Sequence, residues 1–293
     1  MKIDKILKRY RIEAGKHFHL KDYDPADTHG LKSEFKPQAR ELLTEGVEEL
    51  SRLQEKLAAQ DRWGMLLIFQ AMDAAGKDGT IKHVMSGVNP QGVQVTSFKA
   101  PSIEEQDHDF LWRTMKHLPE RGDIGIFNRS YYEEVLVVRV HPELLGKERM
   151  PSRLVTRHIW KERFEDINAL ERYLSRNGIV TLKFFLHVSK KEQKSRFLDR
   201  LDHPDKNWKF SSADVNERAH WNAYMDAYED MIRHTATKHA PWHVVPADNK
   251  WFTRLVVAAA VVDGLKSLKL EYPKLDSRQK SELEAARKRL LEE

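Results

Sequence analysis

Residues 70–80 read Gln70-Ala71-Met72-Asp73-Ala74-Ala75-Gly76-Lys77-Asp78-Gly79-Thr80, between an apolar run and a helical pattern. A strand that delivers small residues into the start of a helix lets backbone N–H groups and the helix dipole hold phosphate. Ala74, Ala75, Gly76, Lys77, Asp78, Gly79 and Thr80 are the expected phosphate-contacting positions, with the Lys77 ammonium neutralising phosphoryl oxygens. Two positions depart from the common G-x-x-x-x-G-K-[ST] loop: Ala71 replaces the first glycine, and Asp78 replaces the hydroxyl residue that ligates magnesium. Alone, the stretch also suits an ordinary strand–turn–helix with a surface lysine.

Asp73 is out of keeping with a loop built for anions. Ligation of a divalent cation would reverse the repulsion, as would contact with an acceptor oxygen that the carboxylate orients or deprotonates. A turn aspartate capping the next helix is the plain alternative. A second segment, Ile124-Gly125-Ile126-Phe127-Asn128-Arg129-Ser130-Tyr131-Tyr132-Glu133-Glu134, ends another apolar run. Where phosphate-loop proteins place a metal-binding Asp, this chain has Asn128, which brings no charge and leaves more of the metal to Asp73. Asp73, Asn128 and Glu133 form the expected metal set, Glu133 on weaker grounds because acidic residues favour a helix start anyway. Arg129 is placed to brace a transferred phosphoryl group, or to form a surface ion pair with Glu133. Asp73, Lys77 and Arg129 are the expected catalytic residues.

The elements that must position these groups are legible as an alternation. Residues 65–70, 93–98, 124–128, 179–188 and 242–247 read as strands, near-continuously apolar as in a parallel sheet covered on both faces. Helical patterns over 77–86, 102–118, 130–140, 152–176, 189–202 and 212–236 separate them, and Asn177-Gly178 is a stop signal before the fourth strand. The expectation is an α/β fold with a five-stranded parallel sheet between helices. Pro37 opens a helix to about Gln60, residues 249–270 form a Val/Ala-rich helix, and Pro273 precedes a charged helix over 277–293. The organisation expected is an irregular N-terminal arm at 1–36, one α/β domain at 37–272 and a C-terminal helix at 273–293.

Residues 189–221 carry Lys190, Lys191, Lys194, Arg196 and Arg200 on a helix, then a loop with Pro204 and Lys209, then a helix with Arg218. This reads as a helical lid whose closure keeps water from a phosphoanhydride. Lys82, Lys99, Arg113 and Lys116 fall near expected carboxyl ends of strands, where ligands bind α/β sheets, although 50 Lys and Arg in 293 residues put several there by composition. Trp208 and Phe210 suit stacking on a base or packing within the lid. Tyr131 and Tyr132 read as packing residues; His83, His108, His117 and His141 read as ordinary helix or loop residues, with no HExxH pattern.

A net charge of +5 suits a polyanionic partner without naming one. The absence of cysteine excludes disulfides, thiolate nucleophiles and Cys-ligated metals. The longest apolar run, 255–262, is too short to span a bilayer, and no apolar region follows the basic N-terminus, so a cytoplasmic location is expected.

The segments FQAMDAAGKDGTIKHVM, NPQGVQVTSFKAPS, DHDFLWR, FNRSYYEEVLVVRVH, LKFFLHVSKKEQKSRF, DKNWKFSSADVNERAHWNAY and APWHVVPADNKWF resemble, in order, the polyphosphate kinase type 2 family over about residues 30–272. The resemblance implies a P-loop kinase fold like that of thymidylate kinase, with a mobile lid and a Mg²⁺ or Mn²⁺ requirement. It implies phosphoryl transfer between inorganic polyphosphate and AMP, ADP or ATP, in a homodimer or homotetramer. It puts Asp73 and Lys77 at the reaction centre, Arg129 at the end of the second motif, and Arg196, Arg200, Lys209 and Arg218 among the phosphate contacts. Lys82 and Arg113 join these as basic-track positions. Asn128, with the SFKAP and DHDFLWR segments, resembles the third subgroup, whose members act on both AMP and ADP. Two other readings share the residues: an ATP-dependent nucleoside monophosphate kinase on the same fold, and a non-catalytic basic nucleic-acid-binding protein. No nucleic-acid motif is present, so neither nucleic acid nor membrane is an expected partner.

Overall fold

The computed structural model describes residues 3–293. One six-stranded sheet runs in the order β1-β6-β5-β2-β4-β3, with β1 (Arg11–Ile12), β2 (Gly64–Gln70), β3 (Val93–Ser97), β4 (Ile124–Asn128), β5 (Ile179–His187) and β6 (Trp242–Pro246). The five expected strands are all present and parallel to one another. β2 lies at the centre and is buried at every residue, which is why its sequence is apolar without alternation.

The sixth strand was not expected. β1 pairs antiparallel with β6, Arg11 opposite His243 and Ile12 opposite Trp242. It belongs to the segment expected to be an irregular arm, which instead begins with α1 (Ile3–Tyr10) and sends Ile6, Leu7, Tyr10, Phe18 and Leu20 into the main core. The signal was present: Ile3, Ile6, Leu7 and Tyr10 follow an i, i+3, i+4, i+7 pattern, diluted by the lysines around them.

One face of the sheet carries α2 (Lys36–Gln60), α3 (Lys77–Val84) and, further along the chain, an eighteen-residue helix at Lys250–Ser267. After β3 the expected helix at 102–118 is two short pieces, α4 (Ile103–Gln106) and α5 (Trp112–Met115), because Asp109 Oδ1 accepts from the Leu111 amide at 3.0 Å and starts a new turn. After β4 the expected helix at 130–140 is a 3-10 segment at Tyr131–Val135 followed by α6 (Val137–Val140). Ser130 Oγ accepts from the Tyr132 amide at 3.1 Å and sets that tight start. The opposite face carries α7 (Ile159–Arg176). Beyond β5 come α8 (Lys190–Asp202), α9 (Ser212–Glu217) and α10 (Trp221–Thr235), the last two separated by a 3-10 turn at Arg218–His220. The Lys250–Ser267 helix is α11, and α12 (Ser277–Glu292) closes the chain, exposed along its length. α2 and α11 run side by side in the same direction: the Phe35 and Trp251 rings are 6.5 Å apart at their starts, and Lys266 reaches Glu49 at 3.1 Å further on.

A charged network lies under the sheet. Lys183 of β5 and Glu171 of α7 are fully buried and bonded at 2.6 Å. Lys183 Nζ also donates to the Tyr132 hydroxyl at 2.9 Å and the Thr235 carbonyl at 2.8 Å. The Tyr131 and Tyr132 hydroxyls donate to Glu171 Oε1 at 3.0 and 2.7 Å. These tyrosines are therefore polar anchors as well as packing residues, and they fix the turn that follows β4. A buried charge left alone is costly, so the four groups act as a unit.

Two buried histidines give the fold a predictable acid response. Burial pushes His187 down to about 4 and His243 down to about 3 from the ordinary 6.5. Between those values and 6.5 the unfolded chain binds protons that the native chain does not, so stability is lost as pH falls below about 6.5. Each histidine is expected to contribute about 1.4 kcal/mol per pH unit until its folded value is reached. Denaturant unfolding of wild type and His187→Asn at pH 7, 6 and 5 should show a shallower pH slope for the variant; parallel slopes would refute it.

Candidate active site

β2 ends at Gln70 and the chain doubles back through residues 71–76 before α3 begins. Ala74 (φ 61°) and Gly76 (φ 104°) take left-handed backbone to make that turn. A Cβ on Gly76 would meet only the Arg196 guanidinium at 3.7 Å, so this glycine is needed for its dihedral and not for space. α3 starts without a side-chain cap, which leaves its first amides available to an anion. Lys77, its first residue, bends back and donates from Nζ to the Ala71 carbonyl at 2.9 Å. Burial lowers the Lys77 pKa, and the nearby Asp73 carboxylate opposes that shift.

β4 lies beside β2, and Arg129 leaves it in a left-handed conformation at φ 65°. That strain is held by the Arg129 amide, which donates to the Phe69 carbonyl at 3.0 Å. The side chain then reaches the loop, Nη2 donating to Asp73 Oδ1 at 3.0 Å. Burial disfavours the Arg129 charge, yet Glu133 and Asp73 outweigh it and raise its pKa. Burial likewise pushes the Glu133 carboxyl up against the pull of Arg129 and Lys77. The Gln70 amide faces Glu133 with its nitrogen, donating to Oε1 at 2.7 Å, while its oxygen accepts from the Ser130 amide at 3.1 Å. Asp73, Lys77, Arg129 and Glu133 thus form one coupled cluster at the carboxyl ends of β2 and β4, more enclosed than the surface Arg129–Glu133 pair that the sequence allowed.

Asn128 is turned differently from expectation: its Nδ2 donates to Asp78 Oδ1 at 2.6 Å, tying β4 to α3. Among the described residues no three carboxylate or imidazole groups converge as a self-sufficient metal site. Mg²⁺, however, commonly takes one or two carboxylates and fills its shell with water and substrate phosphate. Asp73 fits that demand, being partly exposed with only Oδ1 engaged by Arg129. Glu133 fits it less well, since its Oε1 already accepts from the Gln70 amide.

The expected lid residues divide by role. Arg196 is buried and fully engaged: Nη1 donates to the Ala74 and Ala75 carbonyls at 3.0 and 2.7 Å, and Nη2 to the Ala247 and Asp248 carbonyls at 2.6 and 3.1 Å. It braces the loop from beneath. Arg218 donates to Gln193 Oε1 at 2.5 Å, and Gln193 Nε2 donates to the Asp73 carbonyl at 2.9 Å, which joins α8 and the Arg218–His220 turn to the loop. Arg200 donates to the Lys209 carbonyl at 3.2 Å, Lys209 lies over the Trp208 ring, and Trp208 is 78% exposed. Lys82 is exposed near the end of α3. Arg113 is buried, donating to the Lys99 carbonyl at 2.7 Å over the face of Phe98. It lines a cavity of about 250 Å³ that opens beside Arg129 and Glu133 and is walled by Phe98 and Phe110.

A family model for polyphosphate kinase 2 matches residues 33–273. The chain belongs to the polyphosphate kinase 2 family. It is 53% identical over 259 residues to a Rhodopseudomonas palustris protein named ADP-polyphosphate phosphotransferase, covering 88% of this chain and 90% of that one. It is 43% identical over 267 residues to the Meiothermus ruber AMP/ADP-polyphosphate phosphotransferase, covering 91% and 96%. The crystal structure of polyphosphate kinase 2 from Arthrobacter aurescens TC1 superposes with a TM-score of 0.85 at 40% identity, covering 98% of this chain and 97% of that one. The fold is therefore that of a P-loop kinase. Among the described residues no helix is long and apolar enough to cross a membrane.

For this polyphosphate kinase 2 chain, Gln70 and Gln193 are site residues that sequence reasoning missed. Neither carries charge, and the contacts that matter span 60 residues for Gln70–Ser130 and 120 for Gln193–Asp73. Arg196 was anticipated as a phosphate contact, but its five donors meet protein acceptors. Arg196→Lys keeps the charge and loses the fork that reaches four carbonyls. It is expected to cost roughly 2–4 kcal/mol in denaturant unfolding and to slow turnover at least tenfold. Unchanged stability would show that the brace is dispensable.

Proposed function

We propose that this chain transfers the terminal phosphoryl group of inorganic polyphosphate to AMP and ADP, reversibly and with Mg²⁺ or Mn²⁺. The observation that carries the reading is the coupled cluster of Asp73, Lys77 and Arg129 at the mouth of a cavity sized for a small ligand, in a chain whose relatives bear the names above. Loop amides and the start of α3 hold the donor anion. Lys77 exchanges the Ala71 carbonyl for a phosphoryl oxygen. Arg129 faces the same point from β4 and stabilises the charge on the moving group. The acceptor nucleotide occupies the cavity, its ring against Phe98 and Phe110 and its phosphate toward Arg129. A divalent cation held at Asp73 would offset phosphoryl charge when bound. Positioning and charge neutralisation do most of the work, so no covalent enzyme intermediate is required. Closure of the segment at 189–221 keeps competing water out.

The test supplies AMP, Mg²⁺ and long-chain polyphosphate with ATP omitted, and separates the products by chromatography. ADP followed by ATP is the expected result. ADP alone would restrict the acceptor to AMP. No product, with phosphorylation of a monophosphate once ATP is added, would replace this reading with that of an ATP-dependent monophosphate kinase.

A further inference from the structure

We propose that Gln193 is a positioning residue for the reaction, and that it ties the placing of Asp73 to the seat of Arg218 in the lid. The inference rests on the function proposed above. Gln193 is 1% exposed on α8, and both ends of its amide are engaged. Nε2 donates to the Asp73 carbonyl at 2.9 Å, and Oε1 accepts from Arg218 Nη1 at 2.5 Å. That orientation is forced, because a carbonyl can only accept and a guanidinium can only donate. Among the described residues, Gln193 is the one side chain hydrogen-bonded both to the phosphate loop and to the lid beyond α8.

What the loop needs from Gln193 is set by Ala74. Its φ of 61° strains any residue that has a Cβ. Turning over the peptide between Asp73 and Ala74 would return Ala74 to negative φ and carry the Asp73 carbonyl away from α8. Gln193 holds that carbonyl in place. Arg196, one turn later on the same face of α8, holds the carbonyls of Ala74 and Ala75. With the peptide fixed, the Asp73 carboxylate meets Arg129 at 3.0 Å. A flipped peptide would keep every charge of the site and misplace the carboxylate proposed to hold the cation.

Arg218 supplies the other half of the device. It sits in the turn between α9 and α10, and its Nη1 also donates to the Lys190 carbonyl at 3.2 Å. Among the described residues no carboxylate lies at ion-pair distance from it. A charged donor on Oε1 polarises the amide and strengthens the bond that Nε2 gives to Asp73. α9, just before this turn, lies near the same cluster: burial and the Asp73 charge raise the Asp214 carboxyl against the pull of Arg200, Arg129 and Lys77. Displacing Arg218 therefore loosens the hold on Asp73, so an open lid leaves the site unformed as well as open to water.

The test measures kcat, and KM for long-chain polyphosphate and AMP, in four variants of the full chain. These are Gln193→Glu, Gln193→Met, Arg218→Met and the double variant Gln193→Met/Arg218→Met, each with its thermal midpoint. Glutamate keeps the volume and the bond from Arg218 but has no donor for the Asp73 carbonyl. Both Gln193 variants are expected to lose about thirtyfold in kcat with each KM within about threefold, the pattern of a misplaced group and not of lost binding. Arg218→Met should lower kcat about tenfold alone and less than about threefold once Gln193 is methionine. Equal losses in the two backgrounds would show that Arg218 serves the phosphate directly, and would overturn the inference. So would a glutamate variant within threefold of wild type in kcat, or losses confined to KM. Should Gln193→Met fail to fold, Arg218→Met decides alone through calorimetric binding of long-chain polyphosphate over a range of KCl. An unchanged slope of log affinity against log salt is expected; a slope shallower by about one marks a direct phosphate contact and sinks the proposal. The two readings fail separately. Wild type that uses ATP and not polyphosphate refutes the proposed function, and the same cycle run with ATP still tests Gln193. Wild type active with polyphosphate, with additive losses in the variants, refutes the role of Gln193 alone.

Discussion

Replacing Arg129 with glycine is expected to lower kcat by about a thousandfold while leaving the thermal midpoint unchanged or slightly raised. The activity loss follows from position: Arg129 meets Asp73 at 3.0 Å and supplies a fixed cation at the cluster, a role comparable to arginines worth about 10³–10⁵ in phosphoryl transfer. The stability result follows from its backbone. At φ 65° an arginine is strained and a glycine is not, so the substitution relieves roughly 1 kcal/mol that offsets the lost ion pair. Arg129→Ala lacks that relief and serves as the comparison, equally inactive but less stable. Steady-state kinetics and thermal melts on both variants decide the matter. A glycine variant within tenfold of wild type in kcat would remove Arg129 from the chemistry.

Lys77→Met is expected to reduce kcat by about 10³ with little change in KM for the acceptor, since in the proposed mechanism the ammonium serves the transferred group and the acceptor occupies the cavity on the Arg129 side. The pH profile supplies a second readout. Because burial lowers the Lys77 pKa in the free enzyme, the alkaline fall of kcat/KM should begin below the range of an ordinary lysine. Lys77 acts only when protonated, so activity is lost as pH rises through that value. A bound polyanion favours the charged form, so the same fall in kcat should move to higher pH. Coincident alkaline limbs in kcat and kcat/KM would argue against Lys77 as the titrating group.

Residues that carry chemistry on short, contiguous segments were the legible part of the site. The loop at 70–80 and the exit of β4 each announce themselves by an apolar strand followed by small or charged residues, and the parallel sheet brings both together at adjacent carboxyl ends. Side-chain destinations were far less legible. Arg196 reads like any basic lid residue, and only the fold shows that its guanidinium is enclosed by four carbonyls. Asn128 was expected to offer an acceptor to a metal, yet its amide nitrogen is drawn to Asp78, a residue that the loop pattern treated as a substitute for a hydroxyl. The Lys183–Glu171–tyrosine network joins β4, β5 and α7 across long stretches of chain, and no local pattern marks it. Broken helices at 102–118 and 130–140 were misjudged for a related reason: serine and aspartate side chains compete locally with helix amides, which periodicity does not register.

The two residues of β1 have a practical bearing on how this chain can be cut. They cover the outer edge of the sheet, where β6 would otherwise offer a row of free amides and carbonyls to any extended chain. Arg11, paired with Glu13 and Asp263, adds charge to that rim, and α1 beside it occupies an apolar seat with Ile6, Leu7 and Tyr10. The family match starts only at residue 33. A fragment trimmed to that boundary keeps Asp73, Lys77 and Arg129 and loses its guard against edge-to-edge pairing, so it is expected to associate through Trp242–Pro246 where the longer chain does not. Solubility and catalysis therefore set different minimal lengths, and fusion partners belong ahead of α1, outside the sheet rim.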